Sequence, residues 1–208
     1  FGNNIVDAAN HPELLMLGKV VALCASARLS FSDTEKHWYI TGDPTEAAMV
    51  VFGEKIGFRK EDLLLEMPFL SEMPFDYKLK YRAVVNLIEE KKFLTAIGAP
   101  EVIIGLSKNI AGVTGTHALE EQDRKKLEEV LTDMSKSGQR VVAIGIQENT
   151  LNIDSSQSIS GLTFIGFLGM KDVLRSEVKD AMDRAQEAGI RVVMITGDAA
   201  EVAQAVGE

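Results

Sequence analysis

The sequence predicts an α+β protein, an antiparallel β-sheet flanked by helices, followed by a shorter α/β strand–helix–strand segment. Three observations predict it. Two β-rich runs, at 81–88 and 93–96, lie either side of the charged Glu89-Glu90-Lys91-Lys92, the spacing of a hairpin. Several helical stretches carry their own start and stop residues. After residue 160 the pattern becomes strand, helix, strand, the order of a right-handed parallel unit.

In chain order, residues 12–27 read as a buried helix. Pro12 fits its first turn, and Leu14, Leu15, Leu17, Val20, Val21, Leu23 and Cys24 leave almost no polar side. Residues 31–36 are polar and loop-like, and the aromatic, β-branched 37–41 is a short strand. Asp43-Pro44-Thr45-Glu46 opens the next helix as N-cap, first-turn proline and capping-box carboxylate, and Gly57 stops it. A short helix over 60–67 ends at Pro68. From Leu70 the period moves toward two. Tyr81, Ala83, Val85 and Leu87 then alternate with Arg82, Val84, Asn86 and Ile88, the pattern of a strand packed on one face. Pro100 starts a short helix. Leu127, Val130, Leu131 and Met134 mark an amphipathic helix over 119–137 that Gly138 ends, and 140–146 is a strand. Residues 149–160 are polar, the best linker candidate. An apolar strand (161–170), a helix (176–188) ended by Gly189, and an uninterrupted β-rich run (190–195) follow; the last is expected to be buried on both faces.

The chain has 208 residues, 46% of them hydrophobic and 25% charged, which is ordinary globular usage. Thirty-one acids against 22 bases give a net charge of −9, the wrong sign for a nucleic-acid footprint or an anionic membrane surface. One cysteine forms no internal disulfide, and three scattered histidines make no metal cluster. No apolar run reaches the roughly 20 residues of a membrane span. The P-loop and dinucleotide fingerprints are absent from the sequence.

What the chain does carry is a series of short motifs in fixed order: Gly42-Asp43-Pro44-Thr45-Glu46, Pro74-Phe75-Asp76 with Lys80 following, Gly98-Ala99-Pro100-Glu101, Gly138-Gln139-Arg140, Gly169-Met170-Lys171-Asp172-Val173-Leu174-Arg175, and Val193-Met194-Ile195-Thr196-Gly197-Asp198. Together they resemble the cytoplasmic region of P-type cation-transporting ATPases, on the calcium, sodium/potassium and proton pump branch. The resemblance implies a nucleotide-binding domain over 1–158 and part of a haloacid-dehalogenase-like phosphorylation domain over 159–208. It also implies ATP and Mg2+ as ligands, and a parent in a membrane with this region on the cytoplasmic side. The remaining phosphorylation, actuator and transmembrane domains of the pump would be its partners.

The same resemblance assigns roles by residue. Phe75 stacks adenine, a contact worth roughly 1–3 kcal/mol. Lys80 and Arg140 supply positive charge to the phosphates, as an anionic ligand of so acidic a chain requires. Glu46 either accepts from the adenine amino group or turns back onto its own helix as the second half of the capping box. Gly98 and Ala99 let the base approach the backbone. The family has lysine where this chain has Ile97; its loss predicts a more apolar, weaker site unless Lys78, Arg82 or Lys92 compensates, and Ile97→Lys is expected to tighten ATP binding. Tyr77 replaces a small hydroxyl residue. Asp172 and Arg175 mark a hinge lacking the family's proline. Thr196, Gly197 and Asp198 lie on the phosphoryl side.

The nucleophilic aspartate of the family's Asp-Lys-Thr-Gly-Thr motif, its downstream lysine and its Mg2+ motif do not occur in this sequence. The fragment is therefore expected to bind nucleotide without hydrolysing it. The alternative is a structural or regulatory interaction module whose nucleotide affinity has been weakened at Ile97. For the C-terminal segment three outcomes stay open: it packs on residues 1–158, it forms a non-physiological dimer that covers its open edge, or it frays.

Overall fold

The structure is a computed structural model, and it describes residues 7–112, 115–150, 153, 159–171 and 177–195. The chain divides into two compact units, residues 1–124 with 142–168, and residues 125–141 with 169–208.

The first unit is built on helices α1 (Pro12–Cys24), α2 (Pro44–Lys55), α3 (Lys60–Glu66) and α4 (Pro100–Leu106) and on two sheets. Strands β1 (Arg28–Ser32) and β2 (His37–Thr41) form an antiparallel hairpin. The main sheet takes β3 (Phe69–Asp76), β4 (Tyr81–Ile88), β5 (Lys91–Gly98), β6 (Ser107–Gly112), β7 (Gly115–Ala118), β8 (Arg140–Glu148) and β9 (Leu162–Met170). Its strand order is β3-β4-β5-β8-β9-β6-β7. The β3–β4, β4–β5, β5–β8 and β6–β7 pairs are antiparallel and β6–β9 is parallel. This is the expected α+β architecture.

Local chemistry places most elements where their sequences predict. Pro12 and Pro44 both sit in first turns, where a missing N–H costs nothing. Asp43 caps α2, accepting from the Thr45 and Glu46 amides at 2.8 and 3.3 Å. Helices α1 and α2 cross closely at Gly53, where an added Cβ would meet the Ala22 methyl at 2.8 Å. Val20, Val21, Met49 and Val50 from these helices pack on Val84, Phe93, Ile97, Ile144 and Leu168 of the sheet.

The structure corrects several expectations. Residues 28–32 form a strand where 31–36 reads as loop; partner β2 supplies the hydrogen bonds that its polar sequence does not advertise. Strands β6 and β7 fall in a stretch with no strand pattern. Strand β4 is buried on both faces from Tyr81 to Asn86, not on one; it lies between β3 and β5, and Val84 packs against residues of α1 and α2. Residues 162–168 belong to the first unit and its sheet.

In the second unit, α5 (Glu121–Lys136) terminates at Gly138, with φ +72°, its amide donating to the Ser135 carbonyl at 2.9 Å and that of Gln139 to Met134 at 3.2 Å. Helix α6 (Val178–Glu187) ends the same way at Gly189. Residues 190–195 are not the expected buried strand. They form no regular element and have no ladder partner among the described residues, and Val193 and Ile195 are 66% and 93% exposed. A run this apolar becomes a doubly buried strand only where neighbours flank it.

Candidate functional site

The candidate site grows from the turn between β3 and β4. Pro74 cannot donate to a sheet ladder, and β3 is an edge strand, where proline is tolerated. The β3–β4 register shifts between Met73 and Asp76, so Pro74 and Phe75 lie in a bulge. A bulge re-aims a side chain, and here Met73 is buried while Phe75, two residues on, is 48% exposed. The Phe75 ring meets Tyr77 edge-on, with centroids 5.3 Å apart.

Asp76 then organises the turn. Its carboxylate accepts from the Lys78 and Leu79 amides at 2.7 and 2.9 Å, and its carbonyl accepts from the Lys80 amide at 2.6 Å. Those two amides hold the Asp76 carboxyl below its ordinary pKa. Lys80 closes the turn at φ +59°, a region few non-glycine residues occupy. Its carbonyl accepts from the Ala99 amide at 2.9 Å, and its ammonium donates to Glu101 at 3.2 Å.

Gly98 pairs with Tyr81, and a Cβ there would collide with the Lys80 carbonyl and lie 2.6 Å from the Tyr81 Cα. Glycine is thus required for β5 to approach the turn. Phe75, Lys80, Gly98 and Ala99 are accordingly assembled by one turn and one strand pair.

Glu46 reaches the same strands by another route. Only half of the capping box forms. Asp43 caps the helix, but the Glu46 carboxylate turns away from its own backbone. One oxygen accepts from the Ser26 amide at 2.7 Å and from the Ser26 hydroxyl, and the other from the Arg82 guanidinium. Arg82 also donates to Glu72 at 2.9 Å, on the strand that bears Phe75. Burial pushes the Glu46 carboxyl up, but the Ser26 hydrogen bonds and Arg82 outweigh it and hold it below the ordinary carboxylate value. The Arg82 side chain is 7% exposed, and its Nε is buried without a partner.

Ile97 lies directly opposite Arg82 and is a core residue, 4% exposed among Val84, Ile144 and the α1 valines. This corrects its expected place at an open ligand surface; the strand points its side chain inward under α1. Nearby Cys24 is fully buried, which pushes its thiol up to about 12 and makes it no nucleophile. Arg140 is exposed at the start of β8 and belongs to the second unit. Asp172, Arg175, Thr196, Gly197 and Asp198 lie outside the described residues. Sequence reasoning missed Ser26, Glu72 and Glu101; Arg82, a charge on the same strand face as Val84, was the available signal for the first two.

Residues 13–177 match the family described as P-type ATPase, cytoplasmic domain N. The chain is similar to the sodium/potassium exporting P-type ATPase cta3 of Schizosaccharomyces pombe, at 32% identity over 97% of this chain and 20% of that protein. It is 33% identical to calcium-transporting ATPase 1 of Bacillus cereus, over 98% of this chain and 22% of that protein. A calcium-transporting ATPase of Bacillus subtilis is also 33% identical, over 94% and 22%. The chain spans about a fifth of the length of these relatives. With that match over most of its length, the chain belongs to the family of P-type ATPase cytoplasmic N domains.

Proposed function

We propose that this chain binds ATP as the nucleotide-binding domain of an ATP-driven cation pump, with the start of the phosphorylation domain following it. Adenine stacks on Phe75, Gly98 and Ala99 let it approach the backbone, and Lys80 and Arg140 face the phosphates. Asp172 and Arg175 serve as the hinge, and Thr196, Gly197 and Asp198 lie toward the phosphoryl group. The observation that carries this reading is Phe75: an aromatic ring brought half into solvent by a proline bulge, at the mouth of a turn that Gly98 allows β5 to touch. An exposed ring at a strand edge offers a π-face that every nucleobase can use.

The chain's own contribution is then positioning and charge. The ring fixes the base, the two cations neutralise phosphate oxygens, and the triphosphate is held for transfer to an aspartate that this sequence does not contain. Mg2+ belongs to a site of the parent protein whose ligands lie mostly outside this chain. The parent protein is proposed to lie in a membrane, with this domain on its cytoplasmic side and the actuator, phosphorylation and transmembrane domains as partners.

Titration calorimetry with ATP and AMP tests this reading. ATP is expected to bind, and Phe75→Ala to weaken it by roughly fivefold to 150-fold, the loss of about 1–3 kcal/mol of stacking. Absence of heat at millimolar ATP would sink the proposal and favour a structural or regulatory interaction module.

A further inference from the structure

We infer that Tyr77 is a second base-contacting residue of the site: with Phe75 it forms an aromatic corner that holds a purine by face and edge together. The inference rests on the nucleotide-binding reading above and adds a contact to it.

Tyr77 lies in the turn between β3 and β4, and it is 89% exposed. A ring this open contributes almost nothing to the core, and its hydroxyl has no hydrogen-bond partner among the described residues. Its ring contact is with Phe75, at 5.3 Å between centroids and 88° between planes. The backbone around it is held in place. Asp76, the residue before, accepts from the Lys78 and Leu79 amides through its carboxylate and from the Lys80 amide through its carbonyl. These bonds bracket Tyr77 and fix its Cα beside the bulge that turns Phe75 outward. A tyrosine side chain has few rotatable bonds to order, so it offers a large apolar surface at low entropic cost.

The right angle between the rings decides what they can do. A base stacked on the face of Phe75 lies parallel to that ring and stands edge-on to the plane of Tyr77. Aromatic faces carry partial negative charge and edges partial positive charge, so the C–H and N–H edge of a purine is attracted to the tyrosine face. Tyr77 is so little buried that it covers only a small part of Phe75, which keeps 48% of its own surface open for the base. Both contacts go to the base, and neither goes to a phosphate.

The test is calorimetric titration of the 208-residue chain and two variants with ATP and with AMP. Tyr77→Ser is expected to weaken both nucleotides by the same factor, about twofold to tenfold, the worth of one aromatic pair. Tyr77→Phe is expected to bind both as the unaltered chain does, because the ring makes the contact. An unchanged or tighter dissociation constant for Tyr77→Ser overturns the inference, and overturns it alone where Phe75→Ala still weakens binding. So does a Tyr77→Ser loss confined to ATP, which assigns the side chain to the phosphates. A Tyr77→Phe loss as large as that of Tyr77→Ser assigns the contact to the hydroxyl and overturns it as well. No binding of either nucleotide by the unaltered chain overturns this inference together with the reading it rests on.

Discussion

Glu46 stands three residues after Asp43, the spacing of a capping box, yet its carboxylate leaves the helix for Ser26 and Arg82. Sequence spacing offers both outcomes. A guanidinium buried on β4 decides between them, because Glu72 engages only one of its two terminal nitrogens and the other takes Glu46. The consequence is measurable in acid. With its pKa in the folded state below the ordinary value near 4.5, the Glu46 carboxylate stabilises the fold above that value, and the contribution is lost as pH falls through the depressed one. Glu46→Gln is therefore expected to lower stability at pH 7 by about 1–3 kcal/mol, a gap that narrows below about pH 4.5 in urea titrations at each pH. A gap that stays constant down to pH 3 would show that the pairing is not what stabilises. Ile97 makes the same point in the core. The resemblance makes Ile97→Lys a gain of phosphate charge, but the side chain lies 4% exposed opposite Arg82. Placing a second cation there is expected to lower the midpoint of thermal unfolding and leave no gain in ATP affinity.

At the scale of elements, sequence patterns succeed where a segment carries its own instructions. Helix α2 has a cap, a first-turn proline and an apolar body, and it forms from Pro44 to Lys55. Asp43→Ala removes two hydrogen bonds from its open amides and is expected to cost about 1 kcal/mol, read as a shift in the urea midpoint at constant slope. Strands β1, β6 and β7 carry no such instructions; they are short, polar or exposed, and exist because a partner strand pairs with them. Strand β4 is misread by alternation for a related reason, since the residues that cover Val84 come from α1 and α2, distant in sequence. Gly98 ties element to site. Gly98→Ala would force β5 from the Lys80 turn, and it is expected to destabilise by about 1–3 kcal/mol and to weaken ATP binding together with the fold, both measured on one preparation.

For the whole molecule, 190–195 is the segment whose sequence and surroundings agree least. Ile190, Val192, Val193, Met194 and Ile195 are all about half exposed or more, a surface that soluble chains rarely leave uncovered. Ending the chain after Gly189 is expected to reduce concentration-dependent self-association in sedimentation velocity while leaving ATP affinity unchanged. Association that persists in the shortened chain would assign it to another surface. The motif series, the capped helices and the hairpin of β4 and β5 were determined by the sequence alone, because each depends on residues within a few positions of one another. The pairing of β9 with β6, the capture of Glu46 by Arg82 and the burial of Ile97 were decided only by the tertiary structure. They depend on which distant segment arrives to supply a hydrogen bond, a charge or an apolar face, and no local pattern encodes that arrival.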